Sequence, residues 1–464
     1  MSKASTLSNT APANASRIAV IGAGLAGLSA AWLLKQKYQV TLFESHASPG
    51  MGVYTNDYHS NGIHTRVDIP LRIFTKGYYP ELFSLYKHLG VEMESSDHSA
   101  VYQYLNLKKE KRPKAFFQYH NRSFLNKEFN FPNTNTLTFK GLHLTLGHFR
   151  FFKKIKADSK NRLTLSGMTF GEYVNKNKFN THYINDILLP ALSVTCTCDY
   201  QAILNYPCDL IVEYLTCGVM DEGIVRAKLG VDDIVPRLTQ GYQVKCYEQV
   251  LSVEEKTETH NTIKLTSKNT QTNVTSLHEF DYVIIATQAN IAHKILSKNT
   301  LTPQARLLSD IPMQESSMVL HTDTDQVYHA QKASPVSYII DKTQDRPSTS
   351  VDLTKAFSSY KKQAPIYQTW NPIKPPKESH ILNQAHFTRP LVTLQSRQSV
   401  TQLMALNKHS SIKICGSYMA NKIPLLDAAV ASSISIAKEL GCPIPWEQDT
   451  DNQVEPLIDV ELAY

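Results

Sequence analysis

Three glycines and one glutamate near the start of the chain have the types and the spacing of a dinucleotide-binding site. Gly22, Gly24 and Gly27 form the pattern G-x-G-x-x-G, and Glu44 follows 22 positions after the first glycine. Gly22 permits a tight turn, Gly24 lets the backbone approach a pyrophosphate, and Gly27 lets the next helix pack closely on its strand. A carboxylate at position 44 can accept hydrogen bonds from both hydroxyls of an adenosine ribose and would repel a 2′-phosphate, which argues against NADP.

The surrounding sequence predicts the strand, turn, helix and strand that must position these residues. Residues 17 to 22 (RIAVIG) and 38 to 44 (YQVTLFE) are short apolar runs, typical of buried parallel strands. The segment LSAAWLLKQK between them has the composition of a helix, and the positive N-terminal end of that helix would hold the phosphates. A glycine turn in an ordinary α/β fold is the alternative, but it leaves Glu44 without a role. The cofactor contacts predicted in this unit also include Ala23, Leu25, Ala26 and Ser45.

Later segments predict the rest of a cofactor-binding domain. Residues 282 to 286 (YVIIA) and 412 to 415 (IKIC) have the pattern of buried strands. Small and apolar residues from 425 to 440 predict a helix after the second of these strands, and leucines between 78 and 92 recur at helical spacing. These segments therefore extend the first strand–helix–strand unit.

Taken in chain order, these segments resemble the flavin-containing amine oxidase and phytoene desaturase superfamily, which has an FAD/NAD(P)-binding Rossmann fold. The resemblance runs from Ile18 to about Leu440. In that family the first motif binds the ADP half of FAD, so the resemblance implies FAD as the cofactor. The family loop after the acid reads R-x-G-G-R, whereas this chain has SPGMG. Contacts from arginines are therefore not carried over, and only backbone contacts from Gly50, Met51 and Gly52 are expected.

The resemblance also implies cofactor contacts in the later segments. Ala286 and Thr287 correspond to residues that pass near the ADP moiety, and Val250 is assigned to the same site. The family has Gly-Asp before its last helix, whereas this chain has Gly416 and Ser417, so a hydroxyl replaces a carboxylate. Both residues remain in the expected site.

The flavin ring is expected between the last helix and the segment RVDIPLRIF. In the family, the helix that begins here at Leu425 and Leu426 points at the flavin pyrimidine ring, where its positive end stabilises the reduced ring. By position in the family pattern, Pro70, Leu71 and Arg72 lie near the isoalloxazine. A surface or structural ion pair is the alternative role for Arg72.

The predicted fold class is α/β, a Rossmann-type FAD-binding domain with an interleaved α+β substrate domain. A chain of 464 residues is too long for one compact core. Residues about 95 to 230 and 300 to 400 lack Rossmann-type patterning and are assigned to a substrate-binding cap. The predicted parts are a disordered leader (1–16), an FAD-binding domain (17–95, 230–300 and 405–445), a substrate domain (96–229 and 301–404) and a C-terminal tail (446–464).

Composition and charge argue against several classes of protein. Apolar residues make up 42% of the chain and charged residues 19%, which is ordinary for a globular protein. The net charge of +7 is spread thinly. The basic segment KKEKRPK at 108 to 114 is interpreted as a solvated loop, so no nucleic-acid partner is expected. No apolar run reaches about 18 residues, so no transmembrane helix is expected.

Cysteine usage bears on location and on metal binding. The odd count of seven cysteines argues against a disulfide framework. Free thiols in a reducing compartment indicate a cytoplasmic location, with a peripheral membrane or organelle location as the alternative. Residues 1–16 lack the apolar core of a secretory signal; an organelle transit peptide is the alternative to a disordered leader. No cysteine spacing predicts a metal site.

The resemblance implies an FAD-dependent oxidoreductase, amine oxidase-like, that transfers a hydride from a small-molecule substrate to flavin N5. Residues 189–218 and 367–403 also resemble a subgroup of uncharacterised flavin oxidoreductases. The bacterial members of this subgroup are associated with lipid-modifying enzymes, so the resemblance implies an apolar, lipid-like substrate. Their many apolar and aromatic residues fit a pocket wall, with a domain core as the alternative. No catalytic residue is assigned, because His386, Tyr418 and Trp370 are more readily explained as structural residues.

Two other functions fit the same fold. One is a flavin-dependent isomerase or desaturase of a lipid or polyene; an isomerase would cause no net redox change. The other is a non-redox binding protein like the Rab GDP-dissociation inhibitors, which bind a prenylated GTPase. The intact glycine pattern with Glu44 disfavours the second. The sequence assigns no oligomeric state.

Overall fold

A five-stranded parallel sheet positions the glycine turn. In the computed structural model its strands lie in the order Gln243–Lys245, Gln39–Phe43, Arg17–Ile21, Tyr282–Ile285 and Ile412–Ile414. All neighbouring strands pair in parallel, with Ile21 beside both Phe43 and Ile285. The carboxyl ends of the strands therefore meet at one edge of the sheet, which is where ligands bind in open α/β sheets.

Helices and a second sheet cover the two faces of this parallel sheet. On one face, helix Leu25–Leu34 packs against helix Leu426–Glu439, where the hydroxyls of Ser29 and Ser433 lie 2.9 Å apart. The other face is packed against a three-stranded antiparallel sheet and several helices. Those strands are Glu248–Glu254, Ile263–Asn269 and Thr275–Phe280, and the helices are Ala289–Ser297, Pro303–Leu308 and Leu394–His409.

The residues assigned above to a cap, which keep that name below, contain an eight-stranded mixed sheet. Near its middle, Val336–Ile340 and Ala100–Tyr104 pair in parallel, although their first paired residues, Val336 and Ala100, are far apart in sequence. The other pairs in this sheet are antiparallel. The strand order is Ile381–Pro390, Met313–His321, Tyr367–Trp370, Ser348–Asp352, Val336–Ile340, Ala100–Tyr104, Lys114–Phe124 and Lys127–Pro132.

Most of the helices of the cap lie between residues 139 and 216, and the described structure also contains two small sheets. The helices there are Phe139–Asp158, Arg162–Ser166, Phe170–Lys176, Thr181–Tyr183, Ile184–Leu188, Leu189–Cys196, Tyr200–Asn205 and Cys208–Thr216. Three further helices are Pro80–His88, Val231–Leu238 and Leu353–Ala356. The small sheets pair Tyr54–Ser60 with Ile63–Ile69, and Ile224–Ala227 with Phe74–Thr75 and Met93–Ser95.

The structure describes residues 15–52, 54–105, 114–124, 127–133, 136–218, 223–255, 262–298, 301–326 and 334–447. Most of the predicted leader (1–14), most of the basic segment (108–113) and most of the predicted tail (448–464) lie outside these ranges. Within them, no helix combines the length and the apolar character needed to span a bilayer. All seven cysteines are described, and each is a free thiol.

The α/β class predicted from the sequence is confirmed. The four predicted strands are present and end one residue before their predicted ends. The predicted helix at 425–440 runs from Leu426 to Glu439, and the one within 78–92 runs from Pro80 to His88. The strand Gln243–Lys245 at the sheet edge was not predicted, because three partly exposed residues carry no periodic signal. The domain boundaries stay a prediction.

Candidate cofactor-binding site

The three glycines of the turn differ in their surroundings. Gly22 has a positive φ of +98°, which favours glycine, and its N–H donates to the carbonyl of Phe43 at 2.8 Å. A Cβ atom added at Gly24 would meet no atom within 4 Å, whereas one added at Gly27 would lie 1.9 Å from the carbonyl oxygen of Gly22. Gly24 therefore faces open space, and Gly27 is required where the helix crosses the end of the strand.

Glu44 follows the neighbouring strand, Gln39–Phe43, and its carboxylate contacts the glycine turn. Its Oε2 accepts a hydrogen bond from the N–H of Ala23 at 2.8 Å, and its Oε1 accepts one from the N–H of His46 at 2.9 Å. Burial acts to raise the pKa of Glu44, but these two hydrogen bonds and the His46 imidazole, 2.7 Å away, bring the pKa below its usual value. Glu44 is thus held as a carboxylate beside the glycine turn.

A cavity of about 1070 Å³ runs along this edge of the parallel sheet. Beyond the predicted residues it is lined by Glu248 and Gln249, and by cap residues that include Trp370 and His386. Ten of the residues predicted to bind the cofactor form part of its wall. They are Gly22, Ala23, Gly24, Glu44, Ser45, Gly50, Gly52, Val250, Ala286 and Thr287.

A second cavity, of about 480 Å³, adjoins the first at the glycine turn and reaches the cap sheet. Gly24, Gly52, Ala286 and Thr287 line both cavities. The predicted residues found only in the second are Leu25, Ala26, Met51, Leu71, Arg72, Gly416, Ser417, Leu425 and Leu426. Every predicted cofactor residue except Gly27 therefore lines one of two adjoining cavities. Their contacts with a cofactor stay predictions.

The last helix begins at the wall of the second cavity. Leu425 precedes its first turn and supplies no side-chain cap to the helix N–H groups. The carboxylate of Asp427 is fully buried and turned away, accepting N–H bonds from Glu81 and Leu82 and pairing with Lys422 at 2.7 Å. The positive end of the helix can thus act on a group in this cavity.

Arg72 lies against the loop SPGMG, residues 48 to 52, which follows Glu44. One nitrogen of its guanidinium, Nη2, donates to the carbonyl of Met51. The other, Nη1, is buried without a hydrogen-bond partner. Burial lowers the pKa of Arg72, and no ion pair joins it to a carboxylate among the described residues. Arg72 thus has a donor available toward the cavity, and its contact with the isoalloxazine stays a prediction.

A second arginine, Arg389, enters the same cavity from a cap strand. Its Nε donates to the hydroxyl of Thr197 at 3.1 Å, and its guanidinium lies 5.0 Å from the ring centre of Phe387. Burial, with the nearby charge of Arg72, lowers the pKa of Arg389 to about 10. The sequence analysis did not find Arg389, because one arginine in the segment FTRP has no pattern that would mark it.

The three residues weighed as catalytic candidates all line the cavities, and two of them have structural partners. The hydroxyl of Tyr418 donates to the carbonyl of Thr287 at 3.1 Å, and the indole of Trp370 donates to the hydroxyl of Ser316 at 2.6 Å. His386 is exposed at the wall of the larger cavity. The geometry gives none of the three an evident role in proton transfer.

The fold and the site define a protein with a Rossmann-like dinucleotide-binding domain. The sequence profile of the NAD(P)-binding Rossmann-like domain matches residues 20–89, which span the glycine turn, Glu44 and helix Pro80–His88. This match indicates a flavin or nucleotide cofactor. Among curated proteins, none matches the sequence.

Solved structures with the same fold cover nearly the whole chain. A CLA-producing fatty acid isomerase from P. acnes has a TM-score of 0.65 and covers 91% of this chain and 98% of its own. For a putrescine oxidase variant with redesigned cofactor binding (TM-score 0.60), the match covers 92% of this chain and 98% of the variant. For a protein assigned as a protoporphyrinogen oxidase from Exiguobacterium sp. 255-15 (TM-score 0.57), the match covers 92% of this chain and 99% of that protein. Each is 12% identical in sequence. At this identity the three structures show the fold alone, and the fold predicted from the sequence is thus confirmed.

Proposed function

We propose that this chain is an FAD-dependent oxidoreductase that acts on an apolar small molecule. The observation that carries the proposal is the pair of adjoining cavities, which leads from Glu44 past Gly24 to the cap sheet. A molecule with an adenosine at one end and a flat ring at the other matches this path. The larger cavity would hold the ADP half, and the smaller one the flavin together with the substrate.

Two features of the smaller cavity fit an anionic, electron-accepting group. Arg72 offers a buried donor without a partner, and the N-terminus of helix Leu426–Glu439 faces the cavity without a side-chain cap. When bound, the flavin supplies the redox chemistry by accepting a hydride at N5. The protein would hold the ring between the loop at Met51 and the last helix, and would stabilise negative charge on it.

The walls of the smaller cavity favour an apolar substrate over an amine. No aspartate or glutamate is among the described residues that line it, so an ammonium group would find no counter-ion there. The cap contributes aromatic and aliphatic side chains, including Tyr119, Tyr338 and Val336. An apolar wall with few polar groups is the usual character of a small-molecule site.

The proposal is tested by the visible spectrum of the purified protein and by anaerobic titration. We expect a flavin spectrum that long-chain unsaturated fatty acids or polyenes bleach and that putrescine leaves unchanged. Free FAD in the same buffer is the control for direct reduction. A colourless protein that does not take up added FAD would overturn the cofactor, as for a binding protein of the GDP-dissociation-inhibitor kind. Bleaching by small amines alone would overturn the apolar substrate, and a product of unchanged mass would indicate an isomerase.

Replacement of the acid at the end of the second strand should weaken cofactor binding. We expect Glu44→Ala to cost roughly 1.5–3 kcal/mol of FAD binding free energy, the scale of hydrogen bonds to charged groups. The measurement is titration of the flavin-free protein with FAD, followed by fluorescence. His46→Ala is the matched control, since it removes an exposed contact of the carboxylate and leaves the carboxylate in place. Equal affinities of Glu44→Ala and the parent protein would contradict the assignment.

We also predict that the flavin is held without a covalent bond. Some members of the family attach it to a cysteine of the C-terminal motif, but Cys415 here is fully buried. Its thiol lies 3.3 Å from the hydroxyl of Ser432, on the side of the last helix, and burial raises its pKa. Acid precipitation should release all of the yellow colour into solution. Colour retained by the washed pellet would refute this prediction.

A further inference from the structure

Helix Phe139–Asp158 of the cap, here called the cap helix, carries an apolar stripe that faces away from the protein. Phe139, Leu142, Leu146 and Phe149 are 89%, 59%, 60% and 65% exposed. They are spaced by three, four and three residues, so they lie on one side of the helix. Of the thirteen large apolar side chains exposed in the described part of the chain, five lie between Leu137 and Phe149. Contiguous exposed apolar surface of this kind marks an interaction site.

The opposite side of the cap helix already has its partners within the chain. Leu144, Phe151 and Ile155 are buried there, and the ring of Phe151 packs edge-on against Phe179 at 5.0 Å. The side chain of Thr138 caps the first turn by accepting the N–H of Gly141 at 3.0 Å. The outward stripe is therefore not needed for packing the helix onto the cap.

The same outward stripe becomes basic in the last two turns. Lys153 follows Phe149 by four residues and Lys156 follows by three more, and both are exposed, as is the adjacent Arg150. The acid of the cap helix, Asp158, is paired with Lys154 at 2.6 Å. A stripe that is apolar at one end and cationic at the other matches the acyl boundary and the anionic headgroups of a bilayer surface.

From this arrangement we propose that the cap helix docks the protein on the surface of an anionic lipid bilayer. Phe139, Leu142, Leu146 and Phe149 would enter the headgroup–acyl boundary, and Lys153 and Lys156 would contact lipid phosphates. The helix would lie in the plane of the interface, as amphipathic helices of this composition do. The proposal concerns surface binding alone and does not depend on the cofactor or on the reaction.

The test is flotation of the full chain with vesicles of phosphatidylcholine, with and without phosphatidylglycerol. We expect binding to the mixed vesicles and at least about tenfold weaker binding to phosphatidylcholine alone, because each basic residue near an anionic surface adds attraction. Raising the salt concentration should weaken binding to the mixed vesicles. A parent protein that floats with neither kind of vesicle overturns the proposal, and equal binding to both overturns the role of Lys153 and Lys156.

Paired variants locate the binding surface. Leu142→Gln/Leu146→Gln should lower vesicle binding about tenfold or more, because two side chains no longer gain from leaving water. The matched control is Leu229→Gln/Leu277→Gln, which changes two leucines exposed to 65% and 62% elsewhere on the molecule. Lys153→Gln/Lys156→Gln provides a second variant on the same stripe and should reduce the preference for anionic vesicles, with Arg150 left in place.

The remaining outcomes also decide the proposal. If the Leu142→Gln/Leu146→Gln protein floats like the parent, the cap helix does not dock on lipid. If that variant changes only the oligomeric state in gel filtration, the stripe is covered by a second copy of the chain, and the lipid proposal is wrong. Thermal melting equal to that of the parent shows that the variant is folded, since both side chains are exposed.

Discussion

The Gly24→Val protein is expected to fold and to purify without flavin. Gly24 has φ −68° and ψ 173°, a conformation open to any residue, and an added Cβ would meet nothing within 4 Å. The side chain therefore costs the fold little. It would project into the space where the two cavities adjoin, since Gly24 lines both. Overlap with a bound pyrophosphate on the scale of 3 kcal/mol would weaken FAD binding about a hundredfold.

A second glycine in open space provides the control for this substitution. Gly167 lies in the cap at φ −92°, and a Cβ added there would also meet nothing within 4 Å. Gly167→Val should keep its flavin and its melting temperature. The measurements are the ratio of flavin to protein absorbance after purification and the affinity for added FAD. A full complement of flavin in Gly24→Val would show that the glycine turn does not hold the pyrophosphate.

The parallel sheet and its edge could be predicted because their signals are local. Four of the five strands are short apolar runs, and the turn between the first strand and its helix is fixed by Gly22, Gly24 and Gly27 within six residues. Residues far apart in sequence, such as Glu44 and Gly416, were assigned to one site through the family resemblance. The structure places both at the edge where the carboxyl ends of the parallel strands meet.

The cap could be predicted only by exclusion, as the residues left after the Rossmann-type segments had been assigned. Its sheet joins strands such as Ala100–Tyr104 and Val336–Ile340, whose pairing depends on contacts between distant parts of the chain. For the same reason the place of Arg389 in the cavity was missed. The pairing of Arg72 with the Met51 carbonyl likewise depends on how the hairpin before it folds back.

The cap helix shows a further limit of sequence patterns. It has two apolar stripes, one through Leu144 and Phe151 and the other through Leu142 and Phe149. Periodicity reports both equally, and the sequence interpretation assigned the apolar residues of the cap to a pocket wall or a core. The structure buries the first stripe and exposes the second. Which stripe is buried depends on the neighbouring helices, so periodicity alone could not separate an internal surface from an external one.

Gly27→Ala tests the fold at the same turn. Two opposing effects act on the free energy of unfolding, so the sign of its change shows which effect is larger. In an ordinary helix interior, alanine stabilises by about 1 kcal/mol relative to glycine. At this position the added Cβ would lie 1.9 Å from the backbone oxygen of Gly22 and 3.2 Å from the Cβ of Ala286. Neither atom is the end of a flexible side chain, so the helix must move away from the sheet.

We therefore expect Gly27→Ala to lower the free energy of unfolding by about 3 kcal/mol, at the upper end for overpacked sites. The matched control is Gly24→Ala, which adds the same methyl group three residues earlier, where there is room. Thermal melting of both proteins without flavin separates the effect on the fold from the effect of lost cofactor, which itself stabilises the folded state. Gly27→Ala should melt well below Gly24→Ala. Equal melting temperatures would mean that helix Leu25–Leu34 does not cross the strand end as closely as the structure places it.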